Sequence, residues 1–286
     1  MKPLHIILTC FSILLTSPVA YGESRDWHLI FADEFETDGP PNPDIWSAET
    51  GFSRNEELQW YQLENAQVKD GHLVIEAKKE NISNPNYISG SDNWKLNRPL
   101  ANYTSACLKT YNNFSFQYGK LEVKARIPDP TGMWPAIWTL GDDRRWPACG
   151  EIDIMEFYLS EGKPTILANA AWPSASMYPP IWDVVKTPYS HFLAKDPEWG
   201  EKFHIWTMEW NSDSISISLD DEHLNTIPIA NTEQPDGFNP FHQPHYILLN
   251  LAIGANGGSP SETSFPQRYE IDYVRVYQLE DNAKSD

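Results

Sequence analysis

The chain of 286 residues carries 21 Lys and Arg against 40 Asp and Glu, a formal charge of −19, with 12 Trp, 23 Pro and three Cys. So acidic a surface repels phosphate backbones and anionic headgroups, which argues against nucleic acid and charged membranes as partners. Three cysteines, one of them at position 10 in an N-terminal apolar run, do not make a disulfide scaffold.

The chain opens "MKPLHIILTCFSILLTSPVAYGES". One Lys, a short apolar run and small residues at "AYG" predict a secretory signal peptide over residues 1–22, too short to span a bilayer. The rest, residues 23–286, reads as a single domain, exported to the periplasm or the medium and working as a monomer without membrane insertion. Cys107 and Cys149 remain beyond the leader, either as buried thiols or as one disulfide.

Strand patterns then follow in order. "WHLIFADEF" comes first, and "TDGPPNPD" turns the chain. "HLVIEAK" and "GKLEVKARI" alternate apolar and polar residues with period two, as half-buried strands do. After the turn "PDPTG" comes "GMWPAIWTLG", where Trp134 and Trp138 stand four apart on one face. "EIDIMEF", "SISISL" and "EIDYVRVYQL" complete the series, and the first and last strands are expected to pair. No stretch sustains a helical stripe. The fold class is all-β, a two-sheet antiparallel sandwich.

"GEIDIMEFY" places Glu151, Asp153 and Glu156 within six residues. On a strand Glu151 and Asp153 share a face, and Ile152 and Ile154 turn to the core. Glu156, five positions after Glu151, falls on the wrong side unless a β-bulge near Ile154 or Met155 adds a residue. Three carboxylates on one face repel one another, which serves no structural purpose. Two carboxyls flanking a glycosidic bond are what a glycosidase needs, and a third can hold one of them protonated.

"WPACGEIDIMEF" resembles the bulged E-x-D-x-x-E signature of the family 16 glycoside hydrolases, in their laminarinase-like branch. The likeness continues through "FADEF", "NEELQWY", "DGHLVIEA", "YGKLEVKARIP", "GMWPAIWTLG", "FHIWTMEW", "YILLNLAIG" and "IDYVRVYQ". It implies a β-jelly roll with a concave sugar-binding cleft and endo-acting, retaining hydrolysis of β-linked oligo- or polysaccharides. In that reading Glu151 is the nucleophile, Glu156 the general acid/base and Asp153 the assisting carboxylate. Trp134 and Trp138 resemble the platform beside the cleaved bond, Trp138 reading equally as core. Asn55, with Glu57, lies on a loop reaching the sugar, and Arg126 resembles an Arg beside the nucleophile, reading also as a partner in a surface salt bridge. Trp172, Glu209 and Gln243 complete the substrate-binding candidates. No cofactor is required for the chemistry. The resemblance adds one structural calcium, held by Glu34, the Gly71 carbonyl and Asp272, although these acids read better as ordinary exposed carboxylates.

Two departures bear on the substrate. Glucan-cleaving relatives carry a His after the catalytic strand where this chain has "ILANAAWPS", and a Trp in the loop where it has "LAIGANGGSP". The insertion "MYPPIWDVVKTPYSHFLAKDPEWGEKF" adds Tyr178, Trp182, Tyr189 and Trp199 and is expected to overhang the cleft. It resembles that of enzymes cutting internal β-galactosidic bonds in mucin-type and poly-N-acetyllactosamine glycans, the expected substrate class. Alternatives are an endo-β-1,3-glucanase (laminarinase), a mixed-linkage β-glucanase, or a jelly roll that binds carbohydrate without cleaving it.

Overall fold

The computed structural model describes residues 26–280, so the leader expected over 1–22 lies outside the described residues. Two antiparallel sheets face each other. The outer sheet runs Glu222–Pro228, Ser214–Leu219, His204–Trp210, Gly119–Arg126, Gln267–Leu279, His72–Ala77 and Ala66–Lys69. Trp27–Asp33 also pairs with Gln267–Leu279, so the first and last strands meet as expected. The inner sheet runs Met177–Pro188, Lys163–Ser174, Glu151–Ser160, Met133–Gly141, His245–Ile253, Cys107–Lys109 and Ser47–Ala48.

Period-two alternation builds this sandwich. In Gly119–Arg126 every second residue is buried, and Leu121, Val123 and Ala125 meet Ile137, Ile152 and Leu249 of the inner sheet in one core. The remaining side chains of that strand face outward, where Lys120 pairs with Glu122 at 2.7 Å and Arg126 pairs with Glu270. Among the described residues the one α-helix is Tyr189–Lys195.

The insertion divides. Its first half is the strand Met177–Pro188, which extends the inner sheet and forms its edge. Prolines 179, 180 and 188 and Lys186 on this edge discourage pairing with another chain. Its second half turns inward, contrary to the expected overhang: Tyr189 and Trp199 are buried and pack edge-to-face at 5.5 Å. Cys107 and Cys149 are both free, buried thiols.

Candidate active site

The strand Glu151–Ser160 contains the expected irregularity. Asp153 stands opposite Asn169 and Glu156 opposite Leu167, so three steps on one strand match two on its neighbour. On the other side, Met155 opposes Ile137 and Asp153 opposes Trp138. Ile154 and Met155 therefore form the bulge, and both are buried in the core with Ile152 and Phe157. Glu151, Asp153 and Glu156 all line one cleft of about 640 Å³. A left-handed residue launches the strand. Gly150 has φ of +76°, and a Cβ there would stand 2.8 Å from Pro240 Cβ.

The cleft crosses the inner sheet. Trp182, Val184 and Lys186 line it from the edge strand, Asn169 from the next, then the carboxylates, then Trp134, Ala136 and Trp138, then Asn250. Five strands at their usual spacing make a trough about 19 Å wide. Arg54, Asn55 and Glu57 close its far side from a loop in which Asn55 and Glu56 are both left-handed. Arg98 fixes that loop, donating to the Glu57 carbonyl at 2.7 Å and the Glu56 carbonyl at 3.1 Å.

Each carboxyl has its own surroundings. The Trp134 indole donates to Glu156 Oε1 at 2.9 Å, and Asn169 Nδ2 donates to Oε2 at 2.9 Å. Burial, reinforced by the nearby Glu151 charge, pushes Glu156 up to about 7. Burial likewise pushes Glu151 up to about 7, against the pull of Arg54 and hydrogen bonds from Trp146 and Asp153. Asp153, only 2% exposed, rises well above the usual carboxylate range through burial and then through the charges of Glu151 and Glu156. A neutral Asp153 carboxyl can donate to Glu151, and a set of three acids so close keeps protons at neutral pH that isolated acids lose.

The other sequence candidates divide by location. Trp134, Trp138 and Asn55 line the cleft. Trp138, read also as core, donates to Asn250 Oδ1 at 2.7 Å on the concave side. Arg126 does not reach Glu151: it lies on the outer sheet, bound to Glu270. Arg54 supplies the positive charge instead. Trp172 turns into the core against Phe241, because Leu167, Asn169 and Ala171, paired with the three acids, take the opposite face of its strand. Glu209 sits on the outer sheet opposite Lys120. Gln243 is buried behind the cleft, donating to the Cys149 carbonyl at 2.8 Å and accepting from the Asp143 amide at 2.8 Å, so it braces the turn before Glu151.

The proposed calcium donors do not fit a cation site. Arg275 takes both Glu34 oxygens at 2.7 Å, and Lys124 takes Asp272 at 2.5 Å. Sequence reasoning missed Arg54, Trp146, Asn169 and Asn250 as site residues. Asn250 had a visible signal, a single amide inside the apolar run "YILLNLAIG".

The model of the glycosyl hydrolases family 16 matches residues 54–275. A beta-glucanase of Rhodothermus marinus is 31% identical over 88% of this chain and 85% of its own length. Two longer curated relatives are spanned over only 37% and 38% of their lengths. Among solved structures, one described with endo-acting O-glycanases of human gut bacteria that initiate mucin breakdown is 31% identical. It superimposes with a TM-score of 0.80 over 90% of this chain and 92% of that one. The laminarinase catalytic domain of Thermotoga maritima, 36% identical, gives 0.71 over 88% and 98%.

Proposed function

The chain belongs to the glycosyl hydrolases of family 16 and is an endo-acting glycoside hydrolase of carbohydrate, and on that premise we propose a retaining mechanism carried by Glu151, Glu156 and Asp153. Glu151 attacks the anomeric carbon while Glu156 protonates the departing oxygen, leaving a glycosyl ester on Glu151. Glu156, now ionised, takes a proton from water, the water oxygen attacks the same carbon, and the ester bond breaks. Asp153 donates to Glu151 and keeps it oriented. The observation that supports this reading is the bulge at Ile154 and Met155, which turns all three carboxyls into one cleft.

For the substrate we propose internal β-galactosidic linkages of mucin-type and poly-N-acetyllactosamine glycans. The TM-score of 0.80 with the O-glycanase-associated structure, against 0.71 for the laminarinase, supports it. So does the edge strand Met177–Pro188, which adds Trp182, Val184 and Lys186 to the cleft. A second reading, endo-β-1,3-glucanase, is favoured by the likeness to the Rhodothermus glucanase. The deciding experiment is a product profile on laminarin, mixed-linkage glucan, keratan and mucin O-glycans, with NMR of the anomeric configuration. Oligosaccharides released from mucin or keratan with retained β-configuration are expected. Ready cleavage of laminarin with intact mucin O-glycans would overturn the galactosidic reading, and an α-product would overturn retention.

A further inference from the structure

Asn169 lies at the centre of the carboxyl group. It stands directly opposite Asp153 in the pairing of Lys163–Ser174 with Glu151–Ser160, and is only 2% exposed. An N–H of its amide donates to Glu156 Oε2 at 2.9 Å, and the same amide end favours the ionised form of the facing Asp153. Its carbonyl oxygen, Oδ1, is buried and receives no hydrogen bond. The donor end of the amide is thus turned to the carboxyls, while the acceptor end is left without a partner. Turning the amide over would set Oδ1 against Glu156, which is repulsive whenever that carboxyl is ionised. The orientation is therefore held by the acids and not by a bond at the other end.

We propose that Asn169 is a positioning residue that bridges Asp153 and Glu156 and holds the acid/base in its ionised form between the two steps of hydrolysis. The inference rests on the acid/base reading of Glu156. A neutral amide is suited to the task, since a cation there would strip the proton needed in the first step, whereas the amide N–H, beside that of the Trp134 indole, stabilises the charge without fixing it. The titratable and charged groups that line the cleft with Glu156 are Glu151, Asp153 and Tyr158 on its own strand, Glu57 and Arg54 from the loop, and Lys186 from the edge strand. Burial and the charges of Glu151 and Glu57 raise the proton affinity of Glu156, and the bonds from Trp134 and Asn169 oppose them.

The test combines a titration with kinetics on Asn169→Ala and on Asn169→Asp, which keeps the side-chain shape and lacks the N–H groups. With glutamate labelled at the carboxyl carbon, the Glu156 resonance is expected to titrate about one pH unit higher in Asn169→Ala, and higher still in Asn169→Asp. On whichever of mucin O-glycans and laminarin the wild type cuts, kcat should fall about tenfold with KM within twofold. The alkaline limb of kcat should move up with the carboxyl midpoint. A Glu156 resonance that titrates as in the wild type in both variants overturns the proposal, as does a kcat loss with an unmoved pH profile. Full activity of Glu156→Gln would overturn the acid/base reading separately, because the titration needs no substrate.

Discussion

The Arg54 guanidinium lies 5.1 Å from the Trp138 ring centre and is ion-paired with Glu49, on the side of the cleft that Asn250 also lines. Its charge favours the ionised form of Glu151, so Arg54→Met raises the proton affinity of that carboxyl. A nucleophile protonated over a wider acid range moves the acid limb of kcat/KM to higher pH. Arg126→Met is the control and should leave the profile in place, because Arg126 is bound to Glu270 on the other sheet. pH–rate profiles of both variants check this.

The site carboxyls cost stability above acid pH. Glu151 and Glu156 rise from 4.5 to about 7 on folding, so the folded protein binds their protons more tightly than the unfolded chain. Their contribution is complete below pH 4.5 and is lost as pH rises towards 7. A Glu156→Gln variant is expected to melt with the wild type at pH 4 and above it at pH 8, by roughly 1 kcal/mol. The gain stays below the full shift because the carboxyl retains an edge open to the solvent of the cleft. Calorimetry at the two pH values reads the difference.

Gly150→Ala joins two penalties. The left-handed backbone disfavours any side chain, and the new Cβ meets Pro240 Cβ at 2.8 Å. A loss of about 1–3 kcal/mol is expected. Activity should fall further than the melting temperature alone accounts for, because the next residue is Glu151. Denaturant melts beside kcat/KM separate the two effects.

Trp182 is 43% exposed on the edge strand and lines the cleft. Trp182→Ala should change stability by less than about 0.5 kcal/mol. KM for long glycans should rise several-fold, since an indole face stacks on sugar rings, while turnover of short substrates stays near the wild-type value. Kinetics against chain length is the measurement.

Alternation made the sandwich legible, because a strand buried on one side records that fact at every second residue. The bulge was legible through Glu156, whose position makes sense only with an added residue. Arg126 and Trp172 misled because the local pattern gives a residue's face within a strand and not which of two sheets the strand joins, nor which face of the sheet meets the core. Arg54 was hidden by its setting, a loop whose course depends on Arg98, 44 positions away. Asn169 could not be read as a bridge, since its partners are set by register across neighbouring strands.

The strand Met177–Pro188 is hydrogen-bonded along one side only, and the bulged strand lies two places inside it. Substitutions at Trp182 and Val184 on that border are expected to change which carbohydrate chains are accepted while the three carboxyls keep their places. On that expectation selectivity and reactivity are separable traits, free to diverge at different rates among its descendants.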